Sequence, residues 1–555
     1  MTRKLAIAIS GAVSLGSYEA GVMYEVLEAI AKHNEKPATE DSDRIEIDVI
    51  TGASAGGMTA GILAQKLLCD GQSLRKPYSN PLYKSWIEEV DIAGLLSKPR
   101  REYKFSLLSS RVVESIGNKY IESSPAIKKK HPSVATEIYV GIAMSNLNGW
   151  DYTVKPHNVE GNGEFTYTRH KDHFVCRLSE ARQTIKLSEM SLLYKEDAID
   201  EWMEIHPPKE QKELEIPEKQ EKPWERLRKC SLSSGAFPFA FEAMKIDRYP
   251  GKGEFAGRKA NAYTYTDGGV FENEPLGLAK KLAEWLDEKA RLTGSDINAA
   301  KENIKHVESS RVYLYVAPGH KTSTANTKFG RSEGVDVDLW TTFQALISAI
   351  FHQSRFQDWI IKDLDSTSPI YQITVQDKNL IGELLFAFAG FLDIRFRHFD
   401  YNIGRESARK ALDEFSKKKT GNSSNPNLVY WKNIEDDFIW ECTPSDKNKK
   451  IAINKKYYKD IAANTSIEKL LAEVDLEKRK VIYKALMARV MALIDFVNEK
   501  LDEEDKKKLL GFVFRIVRGI WTCIGLKPIV WLLARGFLRR KLLFSANEET
   551  KNEEI

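Results

Sequence analysis

The sequence predicts a mixed α/β fold: a parallel sheet covered by helices on both faces, followed by a mainly helical C-terminal half. Three observations carry this expectation. Two units of strand, small-residue loop and helix follow one another at the start of the chain, further β-branched runs recur as far as Val316, and from Val335 onward apolar residues fall at helical spacing.

The first unit opens with Leu5 to Ile9 (LAIAI), an apolar run long enough for a central strand. The loop Gly11-Ala12-Val13-Ser14-Leu15-Gly16 follows, and from Ser17 to Lys32 the residues Tyr18, Val22, Met23, Val26, Leu27 and Ile30 keep helical spacing. The second unit has a strand from Ile45 to Thr51, small residues from Gly52 to Gly57, and a helix from Met58 to Cys69. Open sheets built this way bind ligands at the carboxyl ends of their strands, where both glycine-rich loops fall. Pro77 to Lys130 reads as helical and polar. Glu137 to Met144 (EIYVGIAM) is a third strand, and Thr166 to Leu178 a fourth carrying His170 and His173, which their Arg and Lys neighbours mark as surface residues rather than a metal pair. Pro207 to Pro223 is Lys/Glu-rich and bounded by prolines, as an exposed loop would be. Cys230 to Phe241 (CSLSSGAFPFAF) suits the wall of an apolar cleft and a helix end packed in the core equally well. Tyr263 to Thr266 alternates into Asp267-Gly268-Gly269-Val270, and Val312 to Val316 (VYLYV) is a further strand. Beyond it the helical stretches are Leu339 to Leu364, Leu380 to Phe391, Ser407 to Ser416 and Ser466 to Leu501, where Phe343, Phe351, Phe386, Phe388 and Phe391 could line an acyl-chain tunnel but by default pack in the core.

At 555 residues the chain exceeds one ordinary core, and it divides into residues 1–330, a helical region 331–508 and a tail 509–555. An apolar share of 42% with 29% charged residues is that of a folded protein, and a net charge of +4 on this length gives no sign of a nucleic-acid partner. Cys69, Cys176, Cys230, Cys442 and Cys523 form no C-x-x-C pair, so neither a disulfide framework nor a zinc site is expected, which fits a reducing, cytoplasmic setting. The apolar run Leu5 to Leu15 follows Arg3 and Lys4 but is broken by Ser10, Gly11 and Ser14; it reads as strand and loop, not as a signal peptide.

The chemistry centres on Gly52-Ala53-Ser54-Ala55-Gly56. A strand that turns sharply into a helix around Gly-x-Ser-x-Gly pushes a Ser hydroxyl out of the sheet and faces it with the helix N-terminus, whose free N–H groups stabilise a developing oxyanion. The loop Gly11 to Gly16, between a strand and a helix N-terminus, is a second source of main-chain donors, although neither Gly-x-Gly-x-x-Gly nor a Walker Lys is present to make it a phosphate cradle. Asp267, at a strand end and backed by Gly268 and Gly269, is placed for catalysis, while Asp-Gly is equally an ordinary turn.

Together these stretches resemble the patatin-like phospholipase family. The resemblance covers about residues 4 to 320 and carries over Gly11, Ala12, Val13 and Gly16 for the oxyanion loop, Ser54 within Gly52 and Gly56 for the elbow, and Asp267 with Gly268 and Gly269 for the dyad partner. Ser231 to Pro238 (SLSSGAFP) is similar to the Ala/Ser-Phe-Pro segment the family carries shortly before its Asp. The family's glycine run and x-Arg-Gly are replaced here by Ala12, Val13 and Leu15; N–H donors survive that change, whereas any position needing φ > 0 would penalise Val13. Ser14-Leu15-x-x-Tyr18-x-x-Gly21-Val22 looks like a patatin-related bacterial subgroup whose loop also lacks the Arg. The resemblance implies a three-layer α/β/α acyl hydrolase that cleaves lipid esters through a Ser54-Asp267 dyad and an acyl-enzyme, with no metal and no cofactor.

Two alternatives stand beside it. An ordinary Ser-acid-His triad would draw on His306, His320 or His352, with His320 just after VYLYV. A catalytically silent relative would bind lipid or a partner through the tail. Leu509 to Phe544 mixes Phe, Ile, Trp and Leu with Arg515, Arg518, Lys527, Arg535, Arg539, Arg540 and Lys541, has no acidic residue, and is interrupted by Pro528. It suits a basic amphipathic segment lying on an anionic membrane surface, or a helix pair docked on the protein with its basic edge in water.

Overall fold

The computed structural model describes residues 2–37, 40, 43–97, 105–154, 165–181, 184–190, 214–215, 223–248, 261–294, 311–319, 370–375, 380–420, 423–431, 437–443 and 450–500. The strands are β1 (Arg3–Ile9), β2 (Ile45–Gly52), β3 (Val134–Val154), β4 (Phe165–Ala181), β5 (Thr184–Met190), β6 (Leu214–Glu215), β7 (Met244–Arg248), β8 (Asn261–Asp267), β9 (Arg311–Val316) and β10 (Ile370–Ile373). They form one sheet in the order β10-β9-β1-β2-β3-β4-β5-β6, with β8 also paired to β3 and β7 to β8. From β10 to β3 the pairings are parallel. The remaining pairings are antiparallel.

Helices cover both faces of the parallel part. Along β1, Leu5, Ile7 and Ile9 enter one core with Val22 and Val26 of α1 (Gly16–Asn34) and Leu63 and Leu67 of α2 (Ala55–Cys69). Ala6 and Ala8 enter the opposite core with Leu278, Ala279 and Leu282 of the helix Leu276–Gly294. The period-two alternation of a strand thus feeds two helix layers, which is the expected α/β arrangement with the strands parallel at its centre.

The C-terminal half builds into the same core. Strand β10 extends the sheet at its edge, and a long helix, Ile394–Lys417, packs on α1 so closely that a Cβ on Gly21 would lie 2.0 Å from the Tyr401 carbonyl oxygen and one on Gly404 2.2 Å from that of Tyr18. Glu25 is buried beside two guanidinium groups, 2.7 Å from Arg405 and 3.1 Å from Arg409.

Several sequence expectations need correction. Leu380 to Phe391 is not one helix but three short turns, Ile381–Glu383, Leu384–Ala387 and Ala389–Leu392. Leu385 and Ala387 take positive φ there, +54° and +67°, which interrupts helical continuity. Ser466 to Leu501 is broken into Ile467–Glu473 and Leu476–Lys500, with Asp475 accepting the Glu477 N–H at 3.0 Å. His173 is not at the surface: it is buried and paired with Glu272, which also meets Lys171 at 2.9 Å. Burial pushes the Glu272 carboxyl up, but Lys171 and His173 outweigh that and hold it well below the usual carboxylate range. The stretch Leu339 to Leu364 with Phe343 and Phe351, the tail Leu509 to Phe544, His306, His320 and His352 lie outside the described residues, as does most of Pro207 to Pro223.

Among the described residues no helix is long and apolar enough to cross a membrane. Cys69, Cys176, Cys230 and Cys442 are buried.

Candidate active site

Strands β2 and β8 approach each other end to end along one edge of β3. The last pair of β2 is Gly52 with Ile142, and the last of β8 is Asp267 with Met144, two residues further along β3. Ser54, two residues beyond Gly52, therefore arrives beside Asp267. The Ser54 Oγ donates to Asp267 Oδ2 at 2.6 Å, and both side chains are buried, 5% and 2% exposed.

The turn at Ser54 is strained, with φ +51° and ψ −122°. A left-handed non-glycine residue costs about 1–3 kcal/mol and persists only where its surroundings enforce it. Here they do. The Ser54 carbonyl accepts the Met58 N–H at 3.2 Å as α2 begins, and the Ser54 N–H donates to Ser234 Oγ at 2.9 Å. Ser234 in turn donates to the Ala143 carbonyl at 2.7 Å. Glycine is required at Gly52 and Gly56, because added Cβ atoms would lie 2.2 Å from the Gly56 oxygen and 2.4 Å from the Ile9 and Ser10 oxygens.

Asp267 is held from several sides. Its Oδ1 accepts the Gly269 N–H at 2.7 Å, its N–H donates to the Ala236 carbonyl at 3.0 Å, and its own carbonyl accepts from Ser145 Oγ at 2.7 Å. A Cβ on Gly268 would meet the Ala143 oxygen at 2.1 Å. Burial pushes the Asp267 carboxyl up to about 7, against the opposing hydrogen bonds from Ser54 and Gly269. From sequence alone an ordinary carboxylate near ~4 is assumed; the buried position makes it a much stronger proton acceptor.

The first loop lies against Ser54. A Cβ on Gly11 would be 3.0 Å from the Ser54 Cβ, and the Gly11 N–H donates to the Asn273 carbonyl at 2.8 Å. Val13 does adopt positive φ, +50°, so the penalty anticipated for a β-branched residue at this position is present. The N–H groups of Ala12 and Val13, and those of Ala55 and Gly56 at the start of α2, have no hydrogen-bond acceptor among the described residues. Gly16 opens α1 beneath the Trp86 ring, 2.7 Å from where its Cβ would stand.

Over the loop sits the segment Leu380 to Leu392. Gly390 donates its N–H to Ser14 Oγ at 3.2 Å, and Asp400 accepts the N–H groups of Ile381 and Gly382 at 2.9 and 2.8 Å. Phe388 meets Phe237 edge to face at 5.7 Å, and half-buried Met58, Val13 and Leu385 pack nearby in the same apolar cluster. The CSLSSGAFPFAF stretch closes the helix Pro223–Ser234 with buried Ser231, Ser233 and Ser234, as a helix end packed in the core does, and Phe237 beyond it meets Phe388.

Ser54, Asp267, Gly11, Ala12, Val13, Gly16, Gly52, Gly56, Gly268 and Gly269 thus belong to one neighbourhood built by β1, β2 and β8. Sequence reasoning missed Ser234 as the partner of Ser54 and Asn273 as the clamp on the first loop. Ser234 lies in a stretch that drew attention for its small residues, but Asn273 carries no local signal. The described histidines do not complete a triad: His33, His131, His170, His173 and His398 bond to Asp43, Ser133, Asn146, Glu272 and Tyr83 respectively.

No family model matches the chain. A curated protein similar to part of it is the uncharacterized protein y4iI of Sinorhizobium fredii, 26% identical over 202 residues, which cover 31% of this chain and 28% of that relative. The matched region therefore spans little more than a quarter of the relative's length.

Proposed function

We propose that the chain is a serine ester hydrolase of the patatin-like type, cleaving lipid acyl esters through Ser54 and Asp267. One observation carries this reading: a strained, buried serine at a helix N-terminus, whose hydroxyl donates at 2.6 Å to a carboxylate raised to about 7. Such a carboxylate has the basicity that general-base catalysis at neutral pH requires.

In the proposed cycle Asp267 Oδ2 takes the Ser54 proton as Oγ attacks the ester carbonyl carbon. The N–H groups of Ala12 and Val13, with those at the start of α2, receive the oxyanion; one such donor contributes about 2.7–4 kcal/mol in comparable sites. The tetrahedral intermediate collapses as Asp267 returns the proton to the leaving alcohol oxygen, giving an acyl ester on Ser54. Water then attacks that ester while Asp267 takes its proton, and collapse releases the acid and restores the Ser54 hydroxyl. Support for an apolar acyl group comes from the partly buried apolar side chains Phe237, Phe388 and Met58, and support for lipid esters from the resemblance of the three motifs. Membrane association through the basic tail belongs to the same proposal.

The test is turnover by purified protein of p-nitrophenyl esters of increasing chain length and of phospholipid vesicles. Release of free fatty acid that disappears in Ser54→Ala supports the proposal, whereas equal release by Ser54→Ala removes it. A silent lipid-binding protein is the competing reading, favoured by the strain at Val13; it predicts vesicle binding without any release.

A further inference from the structure

A cavity lies at the other end of the sheet from Ser54. Helix α1 and the helix Ile394–Lys417 run in the same direction and touch main chain to main chain at Gly21 and Gly404. Further along, Val26 and Ile30 on one helix and Leu412 and Phe415 on the other wall a cavity of about 150 Å³, floored by Leu5 and Leu314 of the sheet. Leu5 stands near the start of β1 and the first catalytic loop follows its end, so the length of the strand, roughly 20 Å, separates the two sites.

The mouth has a different chemistry from the chamber. Among the described residues Arg3, Lys4, Lys418 and the carboxylate of Glu414 border the cavity, and Lys4 is also paired with Glu46 at 2.7 Å. Lys418 stands 5.9 Å from the centre of the Tyr371 ring, which packs edge-on against Phe415. An apolar chamber of this volume takes a benzene-sized group, or roughly six carbons of an alkyl chain. A neutral alkane would leave the cationic rim unused, and a compact polyanion would have nothing to place in the chamber.

We propose that this cavity binds a medium-chain carboxylic acid, with the tail between the two helices and the carboxylate at Arg3 and Lys418. On the hydrolase reading this is the class of product that Ser54 chemistry releases, but the binding itself does not rest on that reading.

The experiment is calorimetric titration of octanoate into the full-length protein, with 1-octanol as the uncharged chain of equal length. The expected result is saturable binding of one octanoate per chain, with octanol weaker by about two- to fivefold, the span of one exposed ion pair. Ala411→Phe places a ring in the cavity and is expected to abolish octanoate binding with an unchanged circular dichroism spectrum. Should that variant misfold, Lys418→Glu, at an exposed position, is expected to weaken octanoate and leave octanol unaltered. Absence of saturable octanoate binding, equal binding of octanol, or undiminished octanoate binding in folded variants would each overturn the proposal.

Discussion

Ser234 Oγ accepts a hydrogen bond from the main-chain N–H of Ser54 at 2.9 Å and donates one to the Ala143 carbonyl at 2.7 Å. The hydroxyl thereby ties the strained elbow to the middle of β3, the strand along which Asp267 is also registered. Ser234→Ala leaves a buried N–H unsatisfied, which costs about 1–3 kcal/mol. The expected outcome is a lower melting temperature and a kcat reduced by more than about tenfold with KM little changed, measured on a short-chain ester. Ser234→Thr, which keeps the hydroxyl, is expected to recover part of the loss.

The glycines of the site separate into two kinds. At Gly52 an added methyl meets the main-chain oxygen of Gly56 at 2.2 Å, and main chain cannot step aside. At Gly11 the nearest atom, at 2.0 Å, is the side-chain oxygen of Asn273, which can rotate away. Gly52→Ala is accordingly expected to destabilise the fold by about 3 kcal/mol or more, at the upper end of overpacking. Gly11→Ala is expected to stay folded with impaired turnover, because the Asn273 side chain that donates to the Gly11 carbonyl at 3.3 Å is displaced from the first loop. Thermal melts and ester hydrolysis on the two variants check the contrast.

Much of this neighbourhood was legible in the sequence because its signals are local. The run IEIDVIT followed by small residues marks β2 and the elbow, and Tyr263 to Thr266 marks the end of β8. What brings Ser54 to Asp267 is not local: β8 joins β3 beyond the end of β2, a register no short window encodes. The antiparallel flank and β10 were hidden for the same reason. The Arg and Lys neighbours of His173 suggest solvent, while the partner that permits its burial, Glu272, lies 99 positions away in the chain.

The pH dependence has opposite signs for turnover and stability. Asp267 must be ionised to accept the Ser54 proton, so kcat/KM is expected to fall about tenfold per unit below pH about 7 and to level off above it. Its folded value lies above the unfolded value near 3.8, so its contribution to stability is fully present below the unfolded value and is lost as pH rises through about 7. Asp267→Asn removes that burden. The variant is expected to be inactive yet more stable than the parent at pH 8 by roughly 2–4 kcal/mol, with the advantage fading toward pH 4.

Glu25 tests whether the C-terminal half is part of the core. Glu25→Gln leaves Arg405 and Arg409 without their buried counter-charge, and breaking such a pair costs about 3–5 kcal/mol. A single cooperative denaturation with a lowered midpoint is expected, since the N-terminal units and the helix Ile394–Lys417 lose a shared contact. Two transitions, with only one of them shifted, would contradict this.

The most direct measurement is labelling by a fluorophosphonate probe, read by mass spectrometry of the modified peptide. The account predicts one adduct, on Ser54, in the parent protein, none in Ser54→Ala, and labelling slowed by several orders of magnitude in Asp267→Asn. Labelling of Ser54 at the parent rate in Asp267→Asn, or an unlabelled Ser54 in parent protein that turns over ester, would contradict it.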